Sequence, residues 1–156
     1  MNWTAVAAVS DAVGAVAVVF SLIYLAIQIR AQNRESRAAS IHDILEAFRT
    51  VQSPLAEESN AQLYIKALED FESLSDAERL RLITLMVSVV RVWEEAFHQH
   101  KMGRLDDELW RAIVAQYSNL IAVGFAQDLW DLRRHAFTES FQQFVDQIQA
   151  GQYKLK

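Results

Sequence analysis

From Ala12 to Ile29 the chain reads AVGAVAVVFSLIYLAIQI, eighteen residues without a charged side chain. This run constrains the fold more than any other feature. Extended back to Trp3, it reaches roughly 40 Å as a helix rising about 1.5 Å per residue. A bilayer core calls for about 20 predominantly apolar residues in helical form. The run is therefore expected to cross a membrane. The competing reading is a core helix of a soluble protein, for which uncharged stretches of about 10–14 residues are more typical. A cleaved signal peptide fits less well, because no Lys or Arg precedes the run and a signal core is only about 7–15 residues long.

Composition supports this division of the chain. Of 156 residues, 52% are hydrophobic and 22% charged. That is too much charge for a polytopic membrane protein and too apolar for a disordered chain. One proline and four glycines argue against an all-β fold, which needs turn residues every 8–12 positions or so. The charge is unevenly spread: Asp11 is the only charged side chain between Met1 and Ile29. The rest of the chain is long enough for one domain's core.

Arg30, Arg34 and Arg37 follow the run directly. The positive-inside rule then puts the N-terminus outside and residues 30–156 in the cytoplasm. Trp3 is placed to anchor the outer interface, and the three arginines to reach the inner headgroups. Asp11 is the unusual residue, since a carboxylate at the bilayer centre costs about 2.5–3.5 kcal/mol. Eight residues after Trp3, it falls near the outer interface, where the cost is smaller. Steps of four and three residues connect Ala7, Asp11, Gly14, Val18, Ser21, Leu25 and Gln28. This stripe gathers the strongly polar side chains between residues 11 and 29 apart from the Tyr24 hydroxyl. The opposite face, Val16, Val19, Phe20, Ile23 and Ile27, suits lipid. Small and polar residues on one stripe are what membrane helices use to pack together. The leading expectation is a packing seam in a homo-oligomer. The alternative is an ion channel whose water-lined pore carries a ring of Asp11 carboxylates at its outer mouth. A monomeric anchor or a contact with a different membrane partner would use the same stripe.

The remainder is expected to be an all-α cytoplasmic bundle. Residues 30–37, RAQNRESR, are polar all round, and apolar positions then return at Ala38, Ile41, Leu45 and Phe48 beside Ile44. The membrane helix, 1–29, is thus expected to continue through 30–53 and to end at Ser53-Pro54, because the residue before proline disfavours helix. A second helix is expected from Pro54 or Asn60 to Phe71. Ser75-Asp-Ala-Glu78 has the form of a capping box and opens a central helix that stops near Met102, with Gly103 as its terminator. Further helices are expected from Asp106, around Trp130, and from Glu139 to Ala150 with Thr138 as N-cap. The bundle covers 54–151 and the tail 152–156.

Candidate chemistry is sparse. The net charge of −5 and the lack of a long basic stripe leave no nucleic-acid partner in view. The absence of cysteine removes disulfides, thiolate metal sites and cysteine nucleophiles. On the central helix, Glu94 and His100 lie toward the apolar face and read as buried polar groups, with Arg133, Arg134 or His135 as their partners. Arg91 and Glu95 have the spacing of an ion pair. Glu95-x-x-His98 matches half of a di-iron bundle site, but no second Glu-x-x-His follows. His42 with Glu46, and Asp131 with His135, are further pairs at ligand spacing. No phosphate loop, serine elbow or His-Glu-x-x-His motif is present. No cofactor, metal or catalytic residue is therefore assigned, and an enzyme is not expected. A metal-dependent enzyme built on Glu95 and His98 is the weaker alternative.

Three segments carry a resemblance: SLIYLAIQIR at 21–30, WEEAFHQHKMGRLDDELW at 93–110 and FTESFQQFVDQI at 137–148. Together they resemble a group of small, uncharacterised bacterial proteins with one membrane helix and a helical cytoplasmic domain. The resemblance implies that architecture and a bacterial inner membrane location, with lipid as one partner. It implies no activity and no catalytic residue.

Overall fold

The computed structural model describes the backbone of residues 3–148 and the side chains of residues 14–148. The described residues are helical, without strands. They form α1 (Trp3–Ala56), α2 (Glu58–Glu69), α3 (Asp76–Lys101), α4 (Asp107–Ile121), α5 (Gly124–Arg133) and α6 (Glu139–Gln147). Single 3-10 turns at Phe71–Ser73 and Arg134–Ala136 complete the order. The all-α expectation holds. The chain divides into two compact units at Ala39/Ser40.

The first unit is the N-terminal part of α1. Among the described residues its large apolar side chains are exposed. Phe20 is 68% exposed, and Val16, Ile23 and Ile27 are all more than half exposed. The most apolar window has a mean hydropathy of 1.8, and none of it is buried. A core helix of a soluble protein would instead bury such a window. One helix among the described residues is thus long and apolar enough to cross a membrane. Helix suits that setting because every interior N–H and C=O is satisfied within the segment.

The second unit is the bundle. Ile44 and Phe48 of α1 are buried in it, and Leu45 stays partly exposed. Pro54 was expected to stop α1, but the helix runs to Ala56 with Pro54 inside. Proline removes one backbone donor near the helix end, where few further bonds depend on it. The Pro54 carbonyl is then satisfied by the Glu57 N–H at 3.2 Å and by the buried Asn60 side-chain amide at 2.7 Å. Helix α2 begins at Glu58.

The Ser75–Glu78 capping box forms in full and starts α3. At the other end Gly103 takes φ +68°, the left-handed conformation that closes a helix C-terminus. Asp106 caps α4 through the Leu109 N–H at 2.8 Å. Around α3 the core falls into two clusters. The larger holds Ile44, Phe48, Trp93, Phe97, Trp110, Tyr117 and Phe141. The smaller holds Leu63, Ala67, Leu82, Met86, Phe125 and Leu129. Trp93 is fully buried and stacks on Tyr117, with Phe141 edge-on to it.

Candidate functional site

The polar stripe and its surroundings come first. Trp3 and Asp11 have side chains outside the described residues. Gly14, Val18, Ser21, Leu25 and Gln28 follow one face of the uninterrupted helix α1. The Ser21 hydroxyl donates to the Ala17 carbonyl at 2.8 Å. The Gln28 amide donates to the Tyr24 hydroxyl at 2.9 Å, so Tyr24 turns its polar end toward the stripe. A Cβ added at Gly14 would meet nothing within 4 Å. The glycine therefore leaves a notch that its own unit does not fill. Counting on from Val16, Val19, Ile23 and Ile27 in steps of three and four reaches Arg30, Arg34 and Arg37. The arginines thus share the face of the apolar side chains and lie away from the stripe, an alignment the sequence reading missed although the spacing carries it.

The second constellation lies in the bundle, where α3 meets the start of α6. Glu94 is 5% exposed. Its Oε1 accepts from the Thr138 backbone N–H at 2.6 Å and from the Thr138 hydroxyl at 2.8 Å. Its other oxygen pairs with Arg91. Arg91 also donates to the Ala136 carbonyl at 3.0 Å and lies 4.4 Å from the centre of the Phe137 ring. These contacts replace the expected partners Arg133, Arg134 and His135. They also replace the expected Arg91–Glu95 pair, because the buried carboxylate and the Phe137 ring draw the guanidinium to the other side. Arg134 pairs with Asp146 instead.

Burial pushes the Glu94 carboxyl up, but the two Thr138 donors and Arg91 outweigh it and hold it below the usual glutamate range. A carboxylate held so firmly in its charged form is a poor general base. Thr138 occupies the N-cap position of α6 without capping it through its side chain, because its hydroxyl is turned to Glu94. His98 Nε2 lies 3.2 Å from the same hydroxyl. The order His98–Thr138–Glu94 puts the hydroxyl between base and acid, whereas in a nucleophilic triad the imidazole sits in the middle. The cluster ties α3 to the start of α6. Thr138 was legible as an N-cap, but its contact 44 residues away was not.

His100 is a correction. It is half-buried rather than buried, stacks on Trp110 at 5.0 Å and lies 3.9 Å from the Asp107 carboxylate. It therefore has a different set of partners from Glu94. Glu95 accepts from the Gln99 amide at 2.6 Å, and His98 is engaged by Thr138. Among the described residues no three His, Asp or Glu side chains gather as a metal site. His42 and Glu46, like Asp131 and His135, stand on exposed faces.

Comparison with family models, with curated proteins and with solved structures finds no match. The fold and the exposed apolar helix define a class: an all-α protein with one helix able to span a membrane.

Proposed function

We propose that the chain is a single-span protein of the bacterial inner membrane, with its N-terminus outside and its bundle in the cytoplasm. It associates with itself through the Gly14–Ser21–Gln28 stripe, and the bundle serves as an assembly and interaction module. The observation that carries this reading is the two-sided character of α1. The face of Val16, Val19, Ile23 and Ile27 continues into Arg30, Arg34 and Arg37, as expected of a lipid face whose arginines reach the headgroups. The other face holds the glycine notch and the polar groups.

Ser21 and Gln28 each find a hydrogen-bond partner within their own helix. They have less need of water than pore-lining groups would, which favours a dry seam over a channel. The segments 21–30, 93–110 and 137–148, with their resemblance to small bacterial membrane proteins, support the location. Light scattering and crosslinking of the full chain in mild detergent test the assembly. A defined oligomer is expected, and a strictly monomeric particle would refute it.

A further inference from the structure

Directly after the apolar run, α1 carries Arg30, Arg34 and Arg37, all exposed. At about 100° per residue, the three lie within about 60° of one another around the helix axis. Glu35, the one carboxylate among residues 30–40, falls at least about 100° around the axis from each of them. Arg49, further along the same helix, pairs with Glu46 at 3.4 Å. Among the described residues none of Arg30, Arg34 and Arg37 pairs with a carboxylate.

Like charges three and four residues apart on one helix face repel, and an anion between them relieves the repulsion. Depth selects the source of that anion. Arg30 to Arg37 spans about 10 Å along the axis at about 1.5 Å per residue, and the headgroup layer of one leaflet is about 5–8 Å thick. Side chains of a helix lean toward its N-terminus, which here is toward the apolar run. The long stems of all three arginines therefore bring their guanidiniums back to the phosphate level of a single leaflet. A guanidinium matches phosphate oxygens with paired hydrogen bonds. A zwitterionic headgroup also carries an ammonium group, which repels the cluster, and an anionic headgroup does not.

We infer that this face of α1 is a binding site for anionic phospholipid, whose phosphate Arg30, Arg34 and Arg37 hold in preference to that of a zwitterionic lipid. Contact with headgroups alone would not discriminate between the two. The selectivity comes from three guanidiniums at one level with no carboxylate of their own chain to neutralise them. The inference rests on the membrane reading of α1 but not on its self-association. The Gly14–Ser21–Gln28 stripe lies on the opposite face, so helices packed through it leave the arginines open to lipid.

The test reconstitutes the full chain in phosphatidylcholine vesicles containing a trace of chain-spin-labelled phosphatidylglycerol or chain-spin-labelled phosphatidylcholine. Alkaline carbonate extraction first establishes whether the chain is held in the bilayer. The motionally restricted fraction of each label then gives its relative association with the protein. At low ionic strength phosphatidylglycerol is expected to associate about threefold more strongly than phosphatidylcholine. Replacing all three residues, Arg30→Gln with Arg34→Gln and Arg37→Gln, is expected to bring the two lipids level. Arg34→Gln alone is expected to lower the preference part-way, and serves if near-UV circular dichroism shows the triple variant misfolded. Arg49→Gln, at the arginine already paired with Glu46, is expected to leave the preference unchanged. Equal association in the unaltered chain, a preference that survives the arginine substitutions, or one that Arg49→Gln removes equally would overturn the assignment and leave the membrane reading standing. Release of the chain by carbonate would overturn both.

Discussion

Glu94 is the residue on which the bundle's closing contacts converge. It joins two Thr138 donors to Arg91, and Arg91 in turn holds the Ala136 carbonyl. Hydrogen bonds to a charged group contribute about 1.5–3 kcal/mol each, though losses within one network do not add. Glu94→Gln should therefore lower bundle stability by about 2 kcal/mol, while Glu95→Gln, on the exposed face, should stay within about 0.5 kcal/mol. Thermal unfolding followed through near-UV circular dichroism of the bundle tryptophans measures both. The pH dependence has a definite sign. The folded carboxyl lies below the ordinary glutamate value of 4.5. Its contribution is present above that value and is lost as pH falls from there through the lower folded value. Glu94→Gln should flatten that part of the acid limb of the stability curve. Glu94 was legible as a buried polar residue because helical period places it beside Val90 and Val87. Its partner was not legible, because periodicity within α3 says nothing of a contact to Thr138. His100, in the last turn of α3, is only half-buried and stacks on Trp110 of the core.

At the scale of elements, legibility follows locality. Both ends of α3 were readable because each is written within a few residues. Ser75 and Glu78 satisfy each other's backbone donors, and Gly103 adopts a conformation that side chains resist. Pro54 was misread because proline marks helix ends statistically, whereas here it falls in the last turn, where its missing N–H costs one bond and Asn60 satisfies its carbonyl. Two substitutions separate these devices. Ser75→Ala should cost about 1 kcal/mol through lost capping. A Cβ at Gly103 would meet nothing within 4 Å, so Gly103→Ala should cost about 1 kcal/mol through backbone strain alone. Chemical denaturation with an unchanged slope would confirm that both act on stability and not on the denatured state. Glu78 adds a titration. The Ser75 N–H, then Lys66 and the Ser75 hydroxyl, lower its carboxyl to about 2. The cap is therefore intact above the ordinary value of 4.5 and weakens as pH falls toward about 2. Ser75→Ala should weaken that dependence.

For the whole molecule the deciding question is what meets the stripe on α1, and Gly14 answers it most sharply. The residue has open space around it within its own chain and sits inside a helix, where alanine is intrinsically better than glycine by about 1 kcal/mol. In an isolated helix Gly14→Ala should therefore be neutral or stabilising, and Gly14→Ile should be accepted. In a seam where backbones approach across the glycine, both should weaken association, with Gly14→Ile lowering it tenfold or more. Ile23→Ala on the opposite face is the control and should leave the oligomer unchanged. Sedimentation of the full chain in mild detergent, across protein concentration, reads all three. Asp11→Asn separates the seam from the pore. For a seam with Asp11 at its outer edge, the substitution should alter association only slightly, and reconstituted bilayers should carry no current with either side chain. For a pore, cation-selective conductance should appear and fall when the carboxylate is removed. The internal hydrogen bonds of Ser21 and Gln28 favour the first outcome, because each donor bonded along its own helix is one fewer polar group that would need water.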